Sequence, residues 1–299
     1  MTQRPWYRRL ELHVVAALVV VILTAWFAGG RATSGVRAEL DDRLLRAGAG
    51  ADAALVAVES EQLSAVRAVA FTAGVANAVK ATDGPELNRL VTPLQANSTV
   101  PMVDVVTPDG RVLLAVRSKG APAPVASRSG LRALSLSLRR ANGPRGGRLT
   151  ELAIFRSGPT VVTISPIVSG STPVGAVLAM TPLADVLGRI GQEVGTELTV
   201  YAANGAPIAT TATFNPTPIE ASTAQALLGG AAVETRYVYL DHREKLGRLI
   251  IDHTPDGVLG VSLEDDSNVT GRWVMIYTLV GMLAIVAILW TMWYRSRKQ

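Results

Sequence analysis

Two charge-free runs bracket the chain, Val14 to Gly30 and Val274 to Met292. A helix needs about 20 apolar residues to cross the hydrocarbon of a bilayer. Each run therefore predicts a membrane span, the first over 14–30 and the second over 273–293. Trp273, Trp290, Trp293 and Tyr294 frame the second run as an aromatic belt, and Trp6 and Tyr7 flank the first. Small residues at Ala28-Gly29-Gly30 also fit the end of a cleaved signal peptide. The run is long for a signal core, so an uncleaved anchor is expected.

After the first run the apolar positions are Leu40, Leu44, Ala47, Ala51, Leu55, Val58, Val66 and Val69. Spacings of three and four put them on one stripe of a helix, with Arg37, Glu39, Asp42, Arg43, Glu59 and Arg67 mostly off it. The pattern predicts one long helix that ends before Asp83-Gly84-Pro85, with residues 31–71 as its membrane-proximal part. The stripe can pack on its own domain or on a partner helix.

The pattern then changes to short β-branched runs around turn residues. Val103 to Val116 carries Pro108-Asp109-Gly110, and Leu198 to Thr211 carries Asn204-Gly205. Pro presets φ, Asp bonds back to the backbone, and Gly accepts φ > 0, so both read as hairpins. Gly110 and Gly205 are 95 positions apart. VGAVLAMTPL from Val174 and LGVSLEDDSN from Leu259 echo each other, with Gly175 and Gly260 85 positions apart. Two echoes in one order predict one module built twice. Each reads strand, strand, helix, strand, strand, strand. The helices are expected near 131–138, 183–194 and 221–228, after a shorter one at 86–97. The fold class is α+β, two antiparallel five-stranded sheets with helices on one side. The domains are a tail at 1–13, a span at 14–30, the long helix at 31–71, a membrane-distal module at 72–194, a membrane-proximal module at 195–272, a span at 273–293 and a tail at 294–299.

The net charge is +5 and the pI about 9.8, but the distribution removes a nucleic-acid reading. Arg4, Arg8 and Arg9 against Glu11 give +2, and Arg295, Arg297 and Lys298 give +3, so residues 31–272 are neutral. The excess flanks the apolar runs. By the positive-inside rule both termini are cytoplasmic and residues 31–272 extracytoplasmic, in a two-pass protein of the cytoplasmic membrane. The absence of cysteine excludes disulfides and thiolate catalysis.

A span, a long helix, two modules that open with hairpins of the PDG and NG type, and a closing span resemble the double-Cache extracytoplasmic sensor domains of bacterial chemoreceptors, sensor kinases and nucleotide cyclases. The resemblance covers about residues 31–272. It implies PAS-like modules and a ligand pocket in the membrane-distal one, about residues 72–182. Amino-acid-binding members carry an Arg followed by a Trp-Tyr pair, and an Asp on a later strand. Here Ser157-Gly158-Pro159 follows Arg156, and Met180 stands where the Asp would be. An α-amino group needs a buried acceptor, which Met does not supply. Arg156 is the one ligand-binding candidate, an anion partner whose bland alternative is an exposed arginine at a strand end.

Catalytic patterns are missing. His13, His242 and His253 have no metal-ligand spacing, and neither HExxH, a G-x-S-x-G elbow nor a phosphate loop occurs. Asp241-His242-Arg243-Glu244 reads as a solvated turn, Gly143 to Gly147 as a plain loop, and Glu264-Asp265-Asp266 as a hydrated connector. No enzyme activity, metal or cofactor is expected. Two functions remain: ligand sensing relayed to a separate signalling partner, or a structural subunit of a larger membrane complex. Six residues after Trp293 are too few for a signalling module, so output is expected to pass through another membrane protein, with membrane lipids as the remaining contact.

Overall fold

The computed structural model describes residues 6–121, 127–143, 146–232, 234–239, 242–251 and 254–296. Pro144, Arg145, Asp241 and His253, which enter the sequence expectations, lie outside these residues, and so do the outermost tails. Contacts divide the chain into two compact units. Arg46–Ser262 forms one, with both sheets, and Met1–Leu45 with Leu263–Gln299 forms the other.

Helix α1 runs from Trp6 to Ala70, so the predicted span and the predicted long helix are one element. All eight positions of its predicted stripe are buried. It stops sooner than expected. A turn at 71–74 follows, in which Gly74 takes φ +92° as the N-cap of the next helix, and α2 (Val75–Ala81) and α3 (Gly84–Ala96) are separate elements. Asp83 caps α3 by accepting from Glu86 N at 3.0 Å, and Pro85 takes the first turn, where its missing N–H costs nothing.

The first sheet holds β1 (Met102–Val106), β2 (Val112–Arg117), β3 (Leu149–Phe155), β4 (Gly158–Ser169) and β5 (Thr172–Pro182), in the order β2-β1-β5-β4-β3. Helix α4 (Arg132–Arg139) interrupts it in sequence, and α5 (Leu183–Val194) leads onward. The second sheet holds β6 (Glu197–Tyr201), β7 (Pro207–Thr210), β8 (Glu234–Tyr239), β9 (His242–Ile251) and β10 (Thr254–Glu264), with α6 (Ala221–Leu228) in the place of α4. Its order is β7-β6-β10-β9-β8, the same path again. Helix α7 (Ser267–Ser296) closes the chain.

The duplication extends to single hydrogen bonds. Gly110 and Gly205 take φ +85° and +82°. Gly110 N donates to Thr107 O at 2.9 Å, and Gly205 N to Ala202 O at 2.9 Å. Both hairpins carry a bulge, between Val105 and Val106 and between Val200 and Tyr201. Arg128 N donates to Gly110 O at 2.7 Å, and Ile219 N to Gly205 O at 3.0 Å. A Cβ on Gly110 would lie 2.5 Å from Ser129 N, and one on Gly205 2.0 Å from Ile219 O, so no side chain fits either turn.

The second echo is corrected by three positions. Ala176 pairs with Val106, and Val258 with Tyr201, so Gly175 corresponds to Gly257 and not to Gly260. The expectation of helices on one side is also corrected. One face of the first sheet packs Val103, Val105, Val177 and Ala179 under α2, α3 and the Ala65–Ala70 end of α1. The other packs Met102, Val106, Val162, Ile164, Leu178 and Met180 under α4. Strands buried on both faces need apolar residues at every position, and β1 and the middle of β4 and β5 are buried throughout.

In the unit formed by the helical ends, α1 and α7 are long and apolar enough to cross a membrane. Leu18, Val20, Leu23, Trp26 and Phe27 are exposed, whereas Val21 and Ala25 are buried. Gly29 and Thr33 continue that face at the same spacing of four, and a Cβ on Gly29 would lie 3.1 Å from both Gly271 O and Met275 Cβ.

Candidate functional site

The α4 face of the first sheet is mostly apolar, and its one wholly buried carboxylate among the described residues is on β1. Asp104 is the third residue of β1, between Val103 and Val105, and alternation puts it on the same face as Met102. Its carboxylate is wholly buried. Arg117, at the end of β2 and paired with Met102 across the hairpin, binds Oδ1. Arg128 comes from the segment before α4. Its Nε donates to Oδ2 at 2.9 Å, and its guanidinium carbon lies 4.6 Å from the centre of the Phe155 ring. Arg117 Nη1 also donates to Val116 O at 2.9 Å and Val103 O at 3.3 Å. Its Nε is buried with no hydrogen-bond partner among the described residues. Two guanidinium groups thus share one carboxylate. A buried cation is tolerated only when paired and hydrogen-bonded, so the cluster is held together by Asp104 and is one negative charge short of balance.

The second sheet buries charge on the equivalent face, beneath α6. Tyr201, the counterpart of Val106, donates its hydroxyl to Glu244 Oε1 at 2.8 Å. Arg236, opposite Glu244 in the β8–β9 ladder, donates from Nε to Glu244 Oε2 at 3.0 Å and from Nη2 to the Tyr201 hydroxyl at 3.0 Å. Its remaining donors reach Thr217 O at 2.7 Å and Pro218 O at 3.1 Å. Burial pushes the Glu244 carboxyl above its ordinary range, against the pull of Tyr201 and Arg236. The Tyr201 phenol is pushed up by burial first, and then by the charge of Glu244. This triad is neutral and its donors are used. Gly260 makes room for it, because a Cβ there would lie 2.0 Å from Glu244 Oε1. The expected solvated turn at 241–244 is therefore corrected: His242, Arg243 and Glu244 begin β9, and Glu244 is in the core.

Arg156 lies in the tight turn between β3 and β4, one residue beyond Phe155, and its side chain is exposed. The structure does not bring it into either cluster. Met180 is fully buried in β5, paired with Met102 and Val162 inside the apolar layer under α4. His242 stands 3.7 Å from Glu197 Oε2 and against the Phe214 ring. Among the described residues no group of three His, Cys, Asp or Glu side chains is placed to hold a metal ion.

A third polar site joins α1 to the sheet. Gln62 occupies the buried stripe, four residues from both Val58 and Val66. It donates to Thr181 Oγ1 at 2.9 Å and accepts from Thr163 Oγ1 at 2.7 Å, so one side chain ties α1 to β4 and β5. Glu61 beside it accepts from Arg189 of α5 at 3.0 Å and from Thr99 at 2.9 Å.

The sequence does carry a signal for two of these residues. Asp104 is a lone charge in Val-Asp-Val-Val, and Gln62 a lone amide in an apolar stripe. Nothing local marks Arg117, Arg128, Arg236 or Glu244.

A family model described as the double sensory domain of two-component sensor kinase matches residues 38–246. No curated protein sequence matches the chain. Among solved structures, the extracellular domain of vpHK1S-Z8, described as a histidine kinase, superposes with a TM-score of 0.53 at 9% identity, over 80% of this chain and 95% of that one. The sensory domain of the Campylobacter jejuni chemoreceptor Tlp3 (CcmL) gives 0.52 at 10% identity, over 81% and 98%. A domain described as from a sensory box/GGDEF family protein of Vibrio parahaemolyticus gives 0.51 at 8% identity, over 80% and 99%. These likenesses show a shared fold, with two sheet modules following a long helix. The chain belongs to the family of double sensory domains of two-component sensor kinases, the double-Cache type that its hairpin-led modules resemble.

Proposed function

We propose that residues 46–262 are a non-catalytic sensor for a small anionic molecule outside the cytoplasm, and that α1 and α7 carry the response to a separate signalling protein. The observation that carries this reading is the charge imbalance under α4. Arg117 and Arg128 share Asp104, and Arg117 Nε is buried without a partner among the described residues. An anion beside this pair would complete the balance, with charge-assisted bonds of the strong kind. Arg156, exposed next to Phe155, is the further cation available to such a ligand at the edge of this face. Met180 offers no acceptor to an ammonium group, so free α-amino acids are not expected as ligands. Basic residues outside both spans support cytoplasmic termini. Gln62 supports the relay, because a shift of β4 or β5 would act directly on α1.

Calorimetric titration of the detergent-solubilised full chain with a panel of small carboxylates and with inorganic phosphate tests the reading. Binding of one anion that is lost in Arg128→Ala supports it. Micromolar binding of a common amino acid, or no heat from any anion, refutes it. A second reading, a structural subunit of a membrane complex, is favoured by the apolar side chains that fill the α4 face. Partner proteins that co-purify in mild detergent without any ligand response would favour it.

A further inference from the structure

The two apolar runs meet the charged part of the chain at an arginine each. Arg31 follows Gly30 on α1, and Arg272 precedes Trp273 on α7. Both line one cleft of about 720 Å³, with Trp26, Phe27, Asn268 and Met275 among its walls. The cleft exists because the helices touch close by. A Cβ on Gly271 would lie 2.0 Å from Thr33 Oγ1, and Gly29 is in contact with Gly271 and Met275. Arg37, two turns beyond Gly29, is engaged by Ser267 Oγ at 3.2 Å and Asn268 Oδ1 at 3.0 Å. Arg31 and Arg272 pair with no carboxylate among the described residues. Glu39 is taken by Arg43, and Asp265 accepts from Ser267 N at 2.9 Å.

We propose that this cleft binds the headgroup of an anionic phospholipid, with Arg31 and Arg272 on its phosphate and an acyl chain along Trp26, Phe27 and Met275. A guanidinium fork matches phosphate oxygens, and two forks at one level select a lipid with net negative charge. The apolar half of the cleft selects a lipid over a free anion. Trp26 is 71% exposed and Phe27 63%, which is costly in water and favourable in hydrocarbon. Aromatic rings at this depth also anchor a helix at the headgroup layer. The site couples lipid composition to the pairing of α1 and α7, since it draws on both helices.

The inference rests on α1 and α7 lying in a bilayer, so carbonate extraction of membranes is done first. It reads insertion alone, and release of the protein by carbonate would overturn the lipid site together with the spans. Native mass spectrometry of the full chain, with phosphatidylglycerol or phosphatidylcholine added at equal amounts, then reads the site. Retention of phosphatidylglycerol is expected to exceed that of phosphatidylcholine by about fivefold per arginine. The double variant Arg31→Ala, Arg272→Ala should lose the preference, and Arg31→Lys, Arg272→Lys should keep most of it. Equal retention of the two lipids by the unaltered protein overturns the proposal without any variant. So does an unchanged preference in the alanine variant, or displacement of phosphatidylglycerol by millimolar inorganic phosphate.

Discussion

The two sheet modules share a path, a bulge and a turn, yet they bury charge differently. Under α4, a carboxylate on β1 faces two arginines, one from β2 and one from the segment before the helix. Under α6, a carboxylate on β9 faces one arginine and a tyrosine. The bond from Arg128 N to Gly110 O recurs as the bond from Ile219 N to Gly205 O. The backbone kept its contact while the side chain changed from cation to hydrocarbon. The scaffold therefore fixes where a polar group can be held, but not which group. Among the described residues the Glu244 cluster pairs one carboxylate with one arginine, whereas the Asp104 cluster sets one carboxylate against two. The anion site proposed for the first module rests on this difference.

The contrast is broken most directly at Asp104. Asp104→Ala strands two buried guanidinium groups and should cost about 3–5 kcal/mol in urea unfolding. A loss under 1 kcal/mol would mean that Arg117 and Arg128 already find other partners. Gly260→Ala should come next, at about 1–3 kcal/mol, because the methyl displaces the Glu244 carboxylate. In an Glu244→Ala background the same change should cost much less, and equal costs in the two backgrounds would separate Gly260 from the triad.

The third effect depends on pH. Glu244 is raised above its ordinary value of 4.5, so the folded state holds this proton more tightly than the unfolded state does. Its contribution to stability is fully present below that value and is lost as pH rises through the higher folded value. The slope it adds is at most about 1.4 kcal/mol per pH unit, the limit for one proton. Glu244→Gln should abolish it. Denaturation curves of the two proteins from pH 4 to 7 should therefore change in separation, and a constant separation would sink the idea. The smallest effect is at Arg156. Arg156→Ala should change stability by less than about 0.5 kcal/mol, measured by the same unfolding. A larger loss would show a contact that its exposed turn does not suggest.

The parts legible in the sequence are those that local chemistry decides. Pro108-Asp109-Gly110 and Asn204-Gly205 made their turns because each needs only its own φ angles. The limits of α5 and α6 match the periodicity, and the stripe from Leu40 to Val69 is buried throughout. What failed was decided across the sheet. Leu-Gly-Val from Leu259 reads like Val-Gly-Ala from Val174, but ladder pairing aligns Gly175 with Gly257, and Gly260 is small for the sake of Glu244. A charged run such as Asp-His-Arg-Glu looks solvated until β8 supplies Arg236 opposite Glu244. Asp104 was passed over inside its valines, since its partners are 13 and 24 residues further on and no periodicity links them. The side of the sheet that receives α4 was not legible either, because an eight-residue amphipathic helix fits both faces of a sheet that is apolar on both.

The strand order also has a consequence for how the protein is made. In each sheet the last strand to be synthesised lies in the middle, beside the first. Without Thr172–Pro182 the first sheet reduces to two separate hairpins, β1 with β2 and β3 with β4, each with an open edge. Pairing of β5 with β1 and β4 joins them, and every strand of the first module precedes the second in the chain. The second module repeats this history, and its closing strand, Thr254–Glu264, directly precedes α7. Sheet closure there and the arrival of the last helix are thus consecutive events of synthesis. The inner edges of an unfinished sheet, ready to pair with another chain, stay open until its closing strand pairs.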